Sequence, residues 1–159
     1  MQRELAKLVV QNFHEKLTAA MSSFSPFETT LHGSASVYKS PEWKGIEAFV
    51  VLICDTKEDR FGVEIAWRLP GRDFPGGARQ YAFARTDPPV DGGLRMRLDT
   101  LLGTTAVWWE LHAAGTAFKK GAKKSPKAES QVEEATADAV KKIVDHACPY
   151  FECVEAGRP

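Results

Sequence analysis

Four histidines and three cysteines are the residues of this chain best suited to metal or nucleophilic chemistry. His146, Cys148 and Cys153 lie close together near the C-terminus, and imidazole with thiolates is a ligand set that zinc prefers. The spacing H-x-C-x4-C offers three ligands, and no second Cys/His pair stands elsewhere to complete a tetrahedron. Cysteine is also among the residues most often buried for packing alone, so no metal is assigned. A nucleophilic serine or cysteine needs a base that is itself oriented by a third group. No G-x-S-x-G elbow is present. His14 and His112 fall within apolar segments, His32 precedes a glycine, and Gly33-Ser34-Ala35-Ser36 reads as a turn entering a strand. The phosphate loops G-x-x-x-x-G-K-[ST] and G-x-G-x-x-G are absent, and Gly76-Gly77 and Gly92-Gly93 read as turn glycines. The residues therefore assign no catalytic group and no cofactor.

Recognition chemistry is better represented. Between Lys57 and Lys119 there is no lysine, yet Arg60, Arg68, Arg72, Arg79, Arg85, Arg95 and Arg97 occur there. Arginine presents a planar fork that pairs bidentately with carboxylates and phosphates and tolerates partial burial better than lysine. Between Arg68 and Arg97 the nearby acids are Asp73, Asp87 and Asp91. Arg95 and Arg97 share one strand face and Arg60 and Arg68 follow the same alternation, which leaves two readings. One is a basic sheet face or rim that meets an acidic partner or anionic ligand; the other is an ordinary exposed sheet surface with cross-strand ion pairs to Glu64 and Asp99. Trp67, Trp108 and Trp109 add aromatic surface. Adjacent tryptophans on a strand cannot both enter one core, so one of the Trp108-Trp109 pair is a surface candidate, and Trp beside Arg is typical of interface hot spots. The binding residues expected from this pattern are Arg68, Arg72, Phe74, Arg95, Arg97, Trp108 and Trp109.

These residues need elements to carry them. Leu5, Leu8, Val9, Phe13, Leu17, Ala20 and Met21 recur at spacings of three and four, which predicts an N-terminal helix, and Ser22, Ser23, Ser25 and Pro26 stop it. Ala35 and Val37 alternate with polar neighbours, a turn is expected at Pro41, and a nearly all-apolar strand runs Ile46–Cys54. Such a strand belongs at the centre of a sheet, covered on both faces. After the polar turn 55–59, Phe61, Val63, Ile65 and Trp67 alternate with Arg60, Gly62, Glu64 and Ala66, the pattern of a strand with one buried face. Residues 69–77 read as a Pro/Gly loop, Tyr81 and Phe83 as the start of a strand, and Pro88, Pro89, Gly92 and Gly93 as a turn before the alternating Leu94, Met96 and Leu98. Residues 101–114 fit either a short helix or a strand.

Residues 115–128 hold Lys119, Lys120, Lys123, Lys124 and Lys127 with Phe118 as their one large apolar group, and read as an exposed linker. The run lacks aromatics for base stacking and is followed by Glu129, Glu133, Glu134 and Asp138, so nucleic acid is not its expected partner. Ser130 and Glu133 have the spacing of a capping box that opens a helix, and Pro149 is expected to close it. Short strand connections favour α+β over a doubly wound fold: a mostly antiparallel sheet of about four to five strands packed with N- and C-terminal helices.

The whole chain, 1–159, reads as a single domain, a length at which a core forms without disulfide or metal staples. Lys plus Arg and Asp plus Glu both total 21, so no global field steers it to DNA or an anionic membrane. The longest apolar run, 48–54, is seven residues against the roughly 20 that a membrane helix needs. No secretory leader is recognisable, and an odd number of cysteines is unlike a secreted disulfide framework, so a cytoplasmic location is expected.

Phe61-Gly62-Val63-Glu64-Ile65-Ala66-Trp67, Phe74-Pro75, Trp108-Trp109 and Pro149-Tyr150-Phe151 together resemble small bacterial proteins of unknown function, in which a helix precedes an antiparallel sheet with an F-x-V-x-[IL]-x-W strand and a second helix closes the chain. The resemblance implies that fold and a bacterial cytoplasmic setting, and carries no activity with it. Some proteins of this size and layout are immunity partners of secreted toxins. The expectation is a non-enzymatic domain that binds another protein, such as an immunity-type inhibitor or accessory factor. The alternative is a small anionic ligand-binding protein, or an unrecognised enzyme, with a pocket between helix and sheet.

Overall fold

The computed structural model describes residues 1–27, 35–55, 57–72, 93–104, 107–121 and 125–154. Phe74, Arg79, Arg85, His32, the expected strand at Tyr81 and Phe83, and the turns at Gly33 and Pro88 lie outside them.

The apolar stripe expected at the N-terminus forms helix α1 (Arg3–Ala20), with Leu5, Val9, Phe13 and Leu17 fully buried. Each such side chain contributes about 1.5–3 kcal/mol on leaving water. A two-residue strand β1 (Ser25–Pro26) then leads to three long strands, β2 (Ala35–Trp43), β3 (Ile46–Cys54) and β4 (Arg60–Arg68), followed by β5 (Gly93–Arg97). The short helix α2 (Leu98–Leu102), strand β6 (Trp109–Glu110) and helix α3 (His112–Lys119) come next. Helix α4 (Pro126–Lys142) continues through a π-helical turn (Ile143–Ala147) into α5 (Cys148–Cys153). The α+β architecture is thus as expected: among the described residues six strands form one sheet in order β1-β2-β3-β4-β5, with β6 pairing β4, and every pairing there is antiparallel.

Alternation sorts the strand residues between two faces. Ile46, Ala48, Val50 and Leu52 of β3 and Phe61, Val63, Ile65 and Trp67 of β4 join the core cluster to which α1, α4 and α5 contribute. Phe49, Val51 and Ile53 face the opposite way and cluster with Val37 and Ala66, so β3 is buried on both faces. Strand β4 departs from its one-sided pattern: Gly62, Glu64 and Ala66, expected on a solvent face, are buried too. Polarity was a poor guide to depth because Glu64 is charge-compensated in the interior.

Three boundaries differ from expectation. No turn forms at Pro41; β2 runs through it to Trp43, and the missing N–H of proline is accommodated where a bulge interrupts the ladder between Lys39 and Glu42. The reversal lies at Lys44 and Gly45, both at positive φ (51° and 81°), which suits the twist of a two-residue hairpin. The segment read as a linker is helical at both ends: α3 extends to Lys119 and buries Phe118, and α4 starts at Pro126. Ser125 is the N-cap residue and Pro126 the pre-organised first helical position, so the Ser130/Glu133 box lies inside the helix, where Ser130 Oγ meets Glu134 Oε1 at 3.3 Å. Pro149 does not end the helical rod. It cannot donate to the carbonyl four residues back, and the wider turn just upstream, in which the Cys148 amide bonds to the Ile143 carbonyl, carries the chain past it. Helix α5 can then place Tyr150 so that its hydroxyl accepts the Trp67 Nε1–H at 3.0 Å.

Candidate functional site

The expected arginine face exists. In an antiparallel ladder directly paired residues share a face, and the pairs Glu64–Arg97 and Ala66–Arg95 place Arg95 and Arg97 on the side of β4 that carries Arg60, Glu64 and Arg68. It is not a free basic surface, because each arginine has a carboxylate. Arg60 Nε donates to Asp55 Oδ2 at 3.0 Å, Arg68 Nε to Glu47 Oε2 at 2.6 Å and Arg97 Nε to Asp99 Oδ2 at 2.7 Å, while Arg95 pairs with Glu64.

The seven expected binding residues separate into distinct environments. Arg95 is 1% exposed and Glu64 not at all, so Arg95 is an interior residue and its reversal would disrupt folding rather than probe a surface. Arg68 is mostly buried; its guanidinium lies over the rings of Phe27 and Phe49 and shares Glu47 with Lys39. Burial pushes the Glu47 carboxyl up, but hydrogen bonds from Lys39 and Arg68 outweigh it and hold the group below its ordinary range. Arg72 is exposed just beyond β4, with its amide bonded to the Leu69 carbonyl at 3.1 Å. Phe74 lies outside the described residues. Trp109 is a core residue: its ring stacks on Phe61 at 5.3 Å and 10°, and its Nε1–H donates to Asp138 Oδ2 at 2.8 Å.

Half-buried Trp108 and the mostly buried Arg97 come together with a residue missing from the expected set, the partly exposed Arg60. Strand β6 pairs Phe61 with Trp109 and Arg60 with Glu110, which turns Trp109 into the core and leaves its sequence neighbour on the arginine side. The Arg60 guanidinium carbon stands 4.1 Å from the Trp108 ring centroid and that of Arg97 stands 5.3 Å away. Both arginines are held from behind. Asp55 Oδ1 accepts the Lys57 and Glu58 amides at 2.8 and 3.2 Å while its other oxygen takes Arg60, and these bonds outweigh burial to keep the carboxyl below its usual range. Asp99 Oδ2 holds Arg97 and also accepts the Val107 amide at 3.1 Å, which fixes the segment leading to Trp108. Arg60 is at the strand position that alternation predicts. What brings it to Trp108 is the pairing of β4 with β6, about 50 residues apart in sequence, and no local spacing encodes that contact.

Trp108 is half-buried, so the platform offers a rigid aromatic surface with two stacked cations. Its cations are fully compensated: three carboxylates, Asp55, Asp99 and Glu110 (3.9 Å from Arg60), stand against the two guanidinium groups of Arg60 and Arg97. The arrangement suits contact with a mixed, partly apolar protein surface better than capture of an isolated anion.

The other candidates form no catalytic grouping among the described residues. His14 stacks on Tyr38 at 5.8 Å, and His112 is exposed with Nε2 3.2 Å from Glu110. No group of three or more metal-ligating side chains converges among the described residues, and no helix there is long and apolar enough to cross a membrane. A cleft of about 510 Å³ opens between α3 and the start of α4, with Lys120 and Lys127 among the residues that line it. Comparison with protein-family models, with curated proteins and with solved structures returns no match.

Proposed function

We propose that this chain is a non-enzymatic protein-binding domain, of the kind an immunity-type inhibitor or accessory factor represents, and that it meets its partner through the Trp108 platform. One observation carries the reading: a half-buried tryptophan is stacked against Arg60 and Arg97, and the carboxylates of Asp55 and Asp99 fix both guanidinium groups in place. Tryptophan and arginine are enriched at interface hot spots, and an arginine already fixed in place avoids the ordering cost its long side chain would otherwise carry. A platform already immobilised in the free protein loses little entropy on binding. The expected occupant is a folded or extended protein surface with an apolar centre and a polar rim.

The test is affinity capture from cells that encode the chain, followed by calorimetry of the purified pair. Trp108→Ala is expected to weaken the pair by about 2 kcal/mol or more, the threshold of a hot spot, with an unchanged thermal transition. A partner that binds Trp108→Ala and Arg60→Ala as tightly as the parent protein would refute the assignment.

A further inference from the structure

We propose that the cleft between α3 and the start of α4 is a second, separate binding site, and that it takes a small soluble molecule bearing a phosphate group. Thr116 and Lys120 follow His112 at intervals of four along and just past α3, so the three present one face to the cleft, and Ser125 and Lys127 line it from the start of α4. The walls are tied to each other and to the sheet. The Ala114 amide of α3 donates to Gln131 Oε1 of α4 at 2.8 Å, and the Leu111 amide donates to the Asp59 carbonyl at 2.7 Å.

The lysines carry the chemistry. Lys119, Lys141 and Lys142 each hold a carboxylate, from Asp59, Asp145 and Asp138 respectively. Lys120 and Lys127, which border the cleft, form no ion pair among the described residues. Two ammonium groups from facing elements, with the hydroxyls of Thr116 and Ser125 lining the same cleft, supply the positive charge and the donors that a phosphate dianion takes. The Ser125 side chain makes no capping bond, which leaves its hydroxyl available to a ligand. The opposing acids are Glu110, which pairs with His112 at the rim, and Glu129 in the first turn of α4. A volume of about 510 Å³ exceeds a bare phosphate and is within the range of small-molecule sites, so the phosphate is expected to be the anchoring end of a larger ligand. The Lys-rich composition around 119–127 thus acquires a role that depends on two of its members and on the helices that orient them.

The probe is inorganic phosphate, titrated into the isotopically labelled protein and followed by amide NMR, with sodium chloride at matched ionic strength as reference. Saturable shifts are expected at Thr116, Lys120 and Lys127 and their neighbours. Lys120→Gln/Lys127→Gln is expected to weaken the affinity about tenfold or more, as loss of charge-assisted bonds to a dianion requires. Both lysines are exposed, so the variant should keep the parent's thermal transition, and Trp108→Ala should bind phosphate as the parent does. Shifts reproduced by chloride, or a double variant that titrates like the parent, would overturn the proposal.

Discussion

Glu64 and Arg95 form an ion pair with both side chains out of water, one diagonal step apart on the adjacent strands β4 and β5. Deleting one partner leaves a buried charge without its match, a loss that typically costs about 3–5 kcal/mol. Arg95→Met is therefore expected to lower the unfolding free energy by about that amount, read from the urea midpoint at constant m-value. Lys141→Met breaks a pair on the exposed face of α4 and is expected to leave the transition almost unmoved. Equal small effects from both substitutions would show that the Arg95 pairing contributes little to the fold.

Gly115 should invert the usual helix rule. Replacing an interior helical glycine with alanine ordinarily stabilises by about 1 kcal/mol. Here an added Cβ would stand 2.0 Å from Asp59 Oδ2 and 2.8 Å from Asp59 Cβ, and the nearness of the Cβ means that rotating the carboxylate alone gives no relief. Helix α3 would have to lift, straining the Leu111 amide bond to the Asp59 carbonyl and the Lys119 contact with Asp59. Gly115→Ala is expected to lower the melting temperature, with partial recovery in Gly115→Ala/Asp59→Gly. A stabilised single variant would contradict the close approach.

The parts legible beforehand were those encoded by local period. Leu5, Val9, Phe13 and Leu17 show one helical stripe, and Phe61, Val63, Ile65 and Trp67 show one strand face; both are core residues. Depth was less legible. Glu64 is an expected cross-strand ion-pair partner and does pair with Arg95, but both side chains are out of water, and alternation of polar and apolar residues does not encode that depth. The lysines of 115–128 suggested a linker, although lysine and alanine are good helix formers and Phe118 supplied an anchor. Trp108 was singled out together with Trp109, but their division between surface and core follows from the pairing of Phe61 with Trp109. Local patterning thus identified Trp108 and Arg97, two of the three platform residues, and tertiary pairing supplied Arg60.

The three cysteines should separate by accessibility and acidity. Burial pushes the Cys54 thiol up to about 12, and burial followed by the nearby Glu152 charge raises that of Cys148. Only the thiolate attacks a disulfide reagent, so both are slowed, Cys54 by both protonation and burial. Cys153 is exposed. Ellman's reagent at neutral pH is expected to modify Cys153 first, Cys148 more slowly, and Cys54 only on unfolding. Three equivalent fast thiols in the folded protein would contradict this burial order.

Acid should weaken the fold through a small set of carboxylates whose anionic form the native state favours. Glu47, Asp55 and Asp138 all lie below their ordinary values. Burial raises each, and hydrogen bonds to the ionised group outweigh it: from Lys39 and Arg68 at Glu47, from the Lys57 and Glu58 amides and Arg60 at Asp55, and from Lys142 and Trp109 at Asp138. A carboxylate with a depressed native pKa stabilises the fold above its unfolded value, about 3.9 for Asp and 4.3 for Glu. That contribution is lost as pH falls through the lower native value. Urea midpoints are therefore expected to hold near neutrality and decline below about pH 4. Glu47→Gln should have a lower neutral plateau and a shallower acid limb, because its side chain no longer titrates. Asp138→Asn should behave likewise and also alter Trp109 fluorescence through the changed Nε1 contact. Acid limbs of parental steepness in both variants would show that these pairings do not set the pH response.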